Sequence, residues 1–439
     1  MTSVNLREWQ TLCPEPGNGL YQRSLVAYPA GRRLAEDLTK TKRMEVLELT
    51  RGLELRATSF VGRFLLGEVI VTVHPKISGA PLLNLFRYAY GLRNLELYGT
   101  VDFASSQWAF QDLLVQQLAA EATELIERGI QRDYECTRGN LENPRGRIDF
   151  TRYARTVERT QTTLPCVHHP RSEDTLLNRV LLAGLNFAAR LTTDRELNAH
   201  VRRLSKILGA TVTTQPIDRS MLAEALRAMD RRTSAYKPAF TLIELLLGGQ
   251  GVVLDEQGPQ VRLRGFLFDM NRFFQALISR FLREHLSEVD VHDEFRLKGM
   301  FKYVPGQNPL SRREPTLRPD FVVMRSGQML AVLDAKYRDL WEQSLPREML
   351  YQLALYALGR VSGERMSTIL YPTIDDAARE QSITIQEPVR GLPQASVALR
   401  PVNLLKLEQL LRAGRAAQSQ RTELAKQLAF GLLPQTNFH

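Results

Sequence analysis

Residues 318–337 read RPDFVVMRSGQMLAVLDAKY. Two short apolar runs, FVVM and MLAVL, flank Ser326-Gly327, a pair suited to a tight turn, so the stretch predicts two strands joined by a hairpin. Side chains two apart on a strand share a face, which puts Asp334 and Lys336 on the same side. Asp320 begins the first strand and is brought toward Asp334 wherever the two strands pair. The apolar runs predict central, buried strands, and charged groups at the ends of buried strands need a reason to be there. Two acids and a lysine are also compatible with ordinary polar strand ends, so their context decides between the two readings.

That context extends in both directions. On the C-terminal side, PREMLYQLALYALGR (346–360) predicts a helix on which Gln352 and Tyr356, spaced i, i+4, share a face. STILYPT (367–373) predicts a further strand. On the N-terminal side, LFDMNRFFQALISRFLREHL (267–286) has helical spacing. Strands are expected over 290–297 and 298–304, followed by the proline-rich, basic loop PGQNPLSRREPTLRP (305–319). This order describes an α/β unit with a mixed central sheet over 261–412 and a helical tail over 413–439.

Farther upstream, Met44–Ile77 reads as several strands and PLLNLFRYAYGL (81–92) as a helix, giving a β-rich N-terminal domain over 1–100. The region 101–250 reads as α-rich. A long helix capped at Ser105 or Ser106 runs to Gly129, and further helices are expected at 172–191, 195–208, 219–231 and 235–247. The clearest break in composition is GGQGVVLDEQGPQ (248–260), a linker or hairpin. The whole is an α+β multidomain chain: β-rich N-terminal domain, α-helical middle region and C-terminal α/β unit.

Bulk properties narrow the function class. With 439 residues, 58 basic against 48 acidic side chains and a net charge of +10, the chain suits a nucleic-acid partner without requiring one. Cys13, Cys136 and Cys166 are too scattered for a disulfide framework and too few for a four-cysteine iron–sulfur site. The N-terminus lacks the pattern of a signal peptide, and no run reaches the roughly 18 apolar residues of a membrane span, so a soluble, cytoplasmic protein is expected. No GxxxxGK[ST] loop occurs. Cys166, His168 and His169 form one short cluster without a second pair, which reads as a polar loop rather than a zinc site.

The chemistry that fits Asp320, Asp334 and Lys336 is metal-dependent phosphodiester hydrolysis. Two carboxylates and the Ala335 carbonyl offer hard oxygen ligands for Mg²⁺ or Mn²⁺, and Lys336 is placed to orient the attacking water or stabilise developing charge. Lys302, Arg312 and Arg313 lie close to the motif in sequence and are the expected DNA-backbone contacts, with Tyr356.

The chain resembles the McrC family over most of its length. LRATSFVGRFLLGEVIVTVHPKI, LLNLFRYAYGL, YECTRGNLENPRGRIDF, SEDTLLNRVLLAGL, FLFDMNRFFQALI, TLRPDFVV, LDAKY and YQLALYA follow one another in the family's order. The resemblance implies a C-terminal nuclease of the PD-(D/E)xK superfamily with Asp320, Asp334 and Lys336 as catalytic residues. The pair Gln352 and Tyr356 looks like the QxxxY helix of RecB-like nucleases, which supports the site or the DNA backbone. The family works with a McrB-like hexameric AAA+ GTPase in restriction of phage DNA, so GTP would be used only by the partner, and the DNA is expected to be double-stranded and modified. The N-terminal and middle parts would contact that motor. A double-strand break needs two sites, so a transient dimer on DNA is expected. One departure stands out: where members similar to this family often carry a helix glutamate after the DMN pattern, this chain has Gln275. A neutral amide is no charged ligand. Two other readings remain open at this point, a DNA-binding adaptor that stimulates the motor without cutting and a RecB- or Cas4-like repair nuclease.

Overall fold

The computed structural model describes residues 2–95, 110–155, 163–249, 265–359 and 365–431. The expected cap at Ser105 or Ser106 and nearly all of the 248–260 linker lie outside these. The chain divides into two compact units, Met1–Leu92 with Val252–His439, and Arg93–Gly251.

Among its described residues the first unit contains three sheets. Four strands are ordered Thr2–Arg7, Val69–His74, Phe60–Leu66 and Gly265–Asp269, with the first pair parallel and the others antiparallel. A second, three-stranded sheet places Gly52–Ala57 between Thr11–Leu12 and Met44–Leu49. Leu6, Leu34, Leu38, Leu55, Phe64, Val71 and Leu267 close a common core beneath the helix Pro29–Lys40. The reading of LFDMN as helical is corrected here: Gly265–Asp269 is a strand, and the helix Met270–His285 begins only after Asp269, whose side chain accepts from the Asn271 N–H as N-cap. Backbone packing at this pairing is tight. Gly62 has φ +138°, and a Cβ there would stand 2.2 Å from the Phe266 carbonyl oxygen, so only glycine fits.

The third sheet carries the quoted hairpin. Its order is Asp290–Asp293, Phe321–Arg325, Gln328–Ala335, Met366–Thr373, Pro393–Asn403 and Gln381–Gln386. The first three strands are antiparallel, Gln328–Ala335 runs parallel to Met366–Thr373 and that strand parallel to Pro393–Asn403, and the edge strand Gln381–Gln386 is antiparallel. The sheet is mixed, as expected. The helix Arg347–Leu358 is the crossover between the two parallel strands, and Leu353 and Tyr356 bury against Val332, Ile369, Val397 and Leu399. The helix Met270–His285 packs on Gln328–Ala335, on Gly79–Tyr90 and on the tail helix Gln418–Phe430. Residues 298–304 form no strand; the Leu297–Leu317 bridge instead closes the base of one long excursion.

Among the described residues, the second unit holds the helices Phe110–Arg128, Leu176–Leu191, Arg195–Leu208, Arg219–Ala228 and Lys237–Gly249, with the short helix Phe150–Arg155. Thr175, Asp194 and Asp218 cap three of them through side-chain oxygens. Gly184 lets Leu176–Leu191 approach Ile243 so closely that a Cβ would lie 2.3 Å from it. Short strands gather in a three-stranded and a two-stranded sheet. His168 ends the strand Leu164–His168, in which Cys166 is buried, so this segment is extended rather than a loop. Among the described residues no helix is long and apolar enough to cross a membrane.

Candidate active site

The hairpin turn is made by two residues with left-handed backbone, Ser326 at φ 50° and Gly327 at φ 79°, between the paired Arg325 and Gln328. Two left-handed residues in a two-residue loop match the twist of antiparallel strands and fix their register. Phe321 then pairs with Leu333, so the next residues along, Asp320 and Asp334, face each other where the strands emerge from the sheet. The parallel neighbour holds the other side: the Lys336 N–H donates to the Leu370 carbonyl at 3.1 Å.

Three charged groups converge there. Lys336 Nζ lies 3.1 Å from Asp334 Oδ2 and 3.5 Å from Asp320 Oδ2. The Ala335 N–H donates to Asp320 Oδ2 at 2.8 Å and orients that carboxylate. Asp334 is only 3% exposed, and its Oδ1 is buried with no hydrogen-bond partner. Burial, reinforced by the Asp320 charge, pushes the Asp334 carboxyl up to about 6 against the opposing pull of Lys336. Burial pulls the Lys336 ammonium down, but the two carboxylates outweigh it and raise it above its ordinary value.

This donor set fits a hard divalent cation. Two carboxylates that repel one another, one of them with a bare buried oxygen, gain from a shared cation, and the Ala335 carbonyl is a backbone oxygen next to Asp334 in sequence. Among the described residues no group of three or more His, Cys, Asp or Glu assembles into a metal cage. Few protein ligands suit Mg²⁺, which retains several of its waters.

The remaining sequence-derived residues fall into two sets. Gln352 Nε2 donates to the Tyr356 hydroxyl at 2.6 Å, so the i, i+4 pair is formed. Tyr356, however, is 1% exposed in the core beneath the hairpin. A buried ring offers DNA no surface, which corrects its expected role as a DNA contact; it supports Gln352 and the sheet. Lys302, Arg312 and Arg313 are exposed on the excursion that starts beyond Leu297 and returns at Leu317, three residues before Asp320. Asn308 stiffens the excursion by bonding both backbone groups of Arg312.

One element of the site was not legible in the hairpin motif. A cleft of about 570 Å³ is lined by Arg272, Gln275, Ser279, Arg283, Asp293 and Asp320, among others. Arg272, Gln275, Ser279 and Arg283 are spaced i, i+3, i+7, i+11, one face of the helix Met270–His285, and this period was the available signal. Gln275 thus stands on the wall of the cleft that contains Asp320, where an acid was expected from the resemblance.

The comparisons with known proteins agree with the architecture. The family model described as "McrBC 5-methylcytosine restriction system component" matches residues 55–372. The type IV methyl-directed restriction enzyme EcoKMcrBC of Escherichia coli (strain K12) is 23% identical over 290 residues, which are 62% of this chain and 79% of that protein. The refined half-complex from a tetradecameric assembly of Thermococcus gammatolerans McrB AAA+ hexamers with bound McrC contains a chain of similar fold. The TM-score is 0.62 at 19% identity, over 94% of this chain and 100% of that one. At that identity the likeness shows a shared fold.

Proposed function

The chain belongs to the McrBC 5-methylcytosine restriction system component family, whose model spans well over half its length, and from that premise we propose that it is the McrC-type nuclease subunit, a Mg²⁺-dependent endonuclease. The observation that carries the reading is the buried Asp334 carboxylate with one bare oxygen, set against Asp320 and Lys336 at the mouth of two paired strands. A carboxylate is expensive to bury unless a cation compensates it, and Lys336 engages only one of its oxygens.

Asp320, Asp334 and the Ala335 carbonyl would hold Mg²⁺ or Mn²⁺, which when bound supplies neutralising charge for the phosphate and a more acidic water. Lys336, fixed between both carboxylates, orients the attacking water and stabilises charge on the phosphorane oxygens. Gln352, held by Tyr356, supports this arrangement from the crossover helix. Lys302, Arg312 and Arg313 contact the DNA backbone and supply affinity without sequence information. As in the complex named above, the partner is a McrB-like AAA+ hexamer; it brings the GTPase activity, and the substrate is modified double-stranded DNA. Two copies of this chain meet on DNA to cut both strands.

The test compares wild type with Asp334→Ala, each with its partner GTPase, GTP and Mg²⁺, on methylated and unmethylated plasmid. Cutting by wild type and loss in the variant, with stimulated GTP turnover intact in both, is the expected result. Equal cutting by both would remove the site assignment. Stimulated GTP turnover without any cutting would favour the adaptor reading, for which the neutral Gln275 on the cleft wall is the supporting feature.

A further inference from the structure

Lys336 is the least buried member of the charged trio, yet the residue after it is locked on every polar atom. The Tyr337 N–H donates to Asn271 Oδ1 at 3.0 Å. Its carbonyl accepts from Trp9 Nε1 at 3.1 Å. Its hydroxyl donates to Glu8 Oε1 at 3.1 Å. The ring is 2% exposed and meets Phe274 edge-on.

Each of these partners is itself fixed. Asn271 Nδ2 donates to Ser59 Oγ at 2.6 Å and to Asp269 Oδ1 at 3.1 Å, so Asn271 is bound to the N-terminal sheets and to its own helix start. Trp9 follows the strand Thr2–Arg7 with φ 63°, a left-handed backbone that a bulky side chain adopts only when its surroundings impose it. Its indole lies beneath the Arg338 guanidinium, 5.3 Å from the ring centre. Glu8 Oε1 also accepts the Lys76 N–H at 2.6 Å. A strained, aromatic turn more than three hundred residues away in sequence therefore grips the backbone unit that follows Lys336.

We propose that Tyr337 is a positioning residue for Lys336, and that Asn271 and Trp9, by holding the Tyr337 N–H and carbonyl, set where the lysine ammonium stands between Asp320 and Asp334. Asn271 belongs to the DMN pattern noted in the sequence, to which the cleavage chemistry itself assigns no task. The N-terminal strand is in this way part of the site's scaffold, and a shift of the Glu8–Trp9 turn is transmitted to Lys336 through two hydrogen bonds. This inference rests on the nuclease reading.

The experiment measures single-turnover plasmid cleavage by the full complex with its GTPase partner, GTP and Mg²⁺. The variants are Asn271→Ala, Trp9→Phe, their double variant and, in parallel, Asp334→Ala. Trp9→Phe removes the indole N–H while keeping a ring under Arg338. Each single variant is expected to lower the cleavage rate about 10- to 100-fold, the range for loss of a group that orients a first ligand. The DNA concentration giving half-maximal rate and the stimulated GTP turnover stay at wild-type values, which shows a folded, assembled protein. The double variant loses less than the product of the single losses, because both bonds hold one backbone unit. Wild-type cleavage rates in both single variants beside a silent Asp334→Ala would overturn the positioning role and leave the nuclease reading standing. So would rate losses that only track the folded fraction in urea. Undiminished cleavage by Asp334→Ala would overturn the nuclease reading itself, and this inference with it.

Discussion

Replacing Glu8 by glutamine should flatten the pH dependence of this protein's stability. Glu8 is 8% exposed, and burial drives its carboxyl from 4.5 to about 8, against the Lys76 N–H, the Tyr337 hydroxyl and the Lys76 charge. The folded protein therefore keeps a proton that the unfolded chain gives up. By linkage, the associated stability is fully present below pH 4.5, falls as pH rises and is lost once pH passes about 8. A rise of about 3.5 pH units at about 1.4 kcal/mol each sets a ceiling of about 5 kcal/mol, and local relaxation brings the expected loss to about 2–4 kcal/mol. Glu8 Oε2 has no partner, so the glutamine amide placed there would lack an acceptor. The variant should be less stable than wild type at low pH by about 1–2 kcal/mol and should equal or exceed it above pH 8. Urea unfolding of both proteins at several pH values between those limits, extrapolated linearly to water, reads the difference directly. Lys76 is present in both proteins, so its own titration largely cancels. Two parallel stability curves would refute the reasoning, since they would mean that Glu8 titrates alike in the folded and unfolded chains.

The other predictions concern the site and the excursion beside it. The Asp334 carboxyl, raised to about 6, contributes stability present below its ordinary value of 3.8 and lost as pH rises through about 6. Asp334→Asn in chelator should therefore be more stable than wild type at pH 8, while Mg²⁺ raises the melting temperature of wild type alone; a variant that Mg²⁺ stabilises equally would argue against Asp334 as a ligand. At limiting Mg²⁺ the cleavage rate should fall as pH drops below about 6, because a proton on Asp334 competes with the cation, and saturating Mg²⁺ should move that fall to lower pH; a rate at limiting Mg²⁺ unchanged down to pH 5 would contradict this. Lys302→Ala, Arg312→Ala and Arg313→Ala should each lower the slope of log K against log salt by about 1 in DNA-binding titrations, with no change in sequence preference. An unchanged slope would place that side chain off the DNA.

Much of the site was legible because strand periodicity is a local property. The alternation in MLAVLDAK put Asp334 and Lys336 on one face, and the Ser326-Gly327 turn brought Asp320 opposite, before any long-range contact was considered. Gln352 and Tyr356 were likewise joined by helix period alone. Burial is different, since it depends on what packs on top. Tyr356 carries a hydroxyl and sits on an amphipathic helix, which is compatible with either face, and only the neighbouring Val332 and Ile369 decided that it points inward.

The sequence by itself determined the elements and one cluster of charge: the mixed sheet of the C-terminal unit, the helices of the middle region, and two acids and a lysine at the mouth of a hairpin. These follow from period, turn residues and charge, which act over a few residues. Tertiary structure alone decided how distant segments combine. Gly265–Asp269 reads as part of a helical run, yet it pairs with Phe60–Leu66, because Gly62 and Gly265 permit a backbone approach that no periodicity encodes. Glu8 and Trp9 look unremarkable in sequence, and they meet Asn271 at Tyr337 only after the chain has closed on itself. Contacts of that kind are fixed by the packing of whole sheets and helices, so a local pattern carries no trace of them.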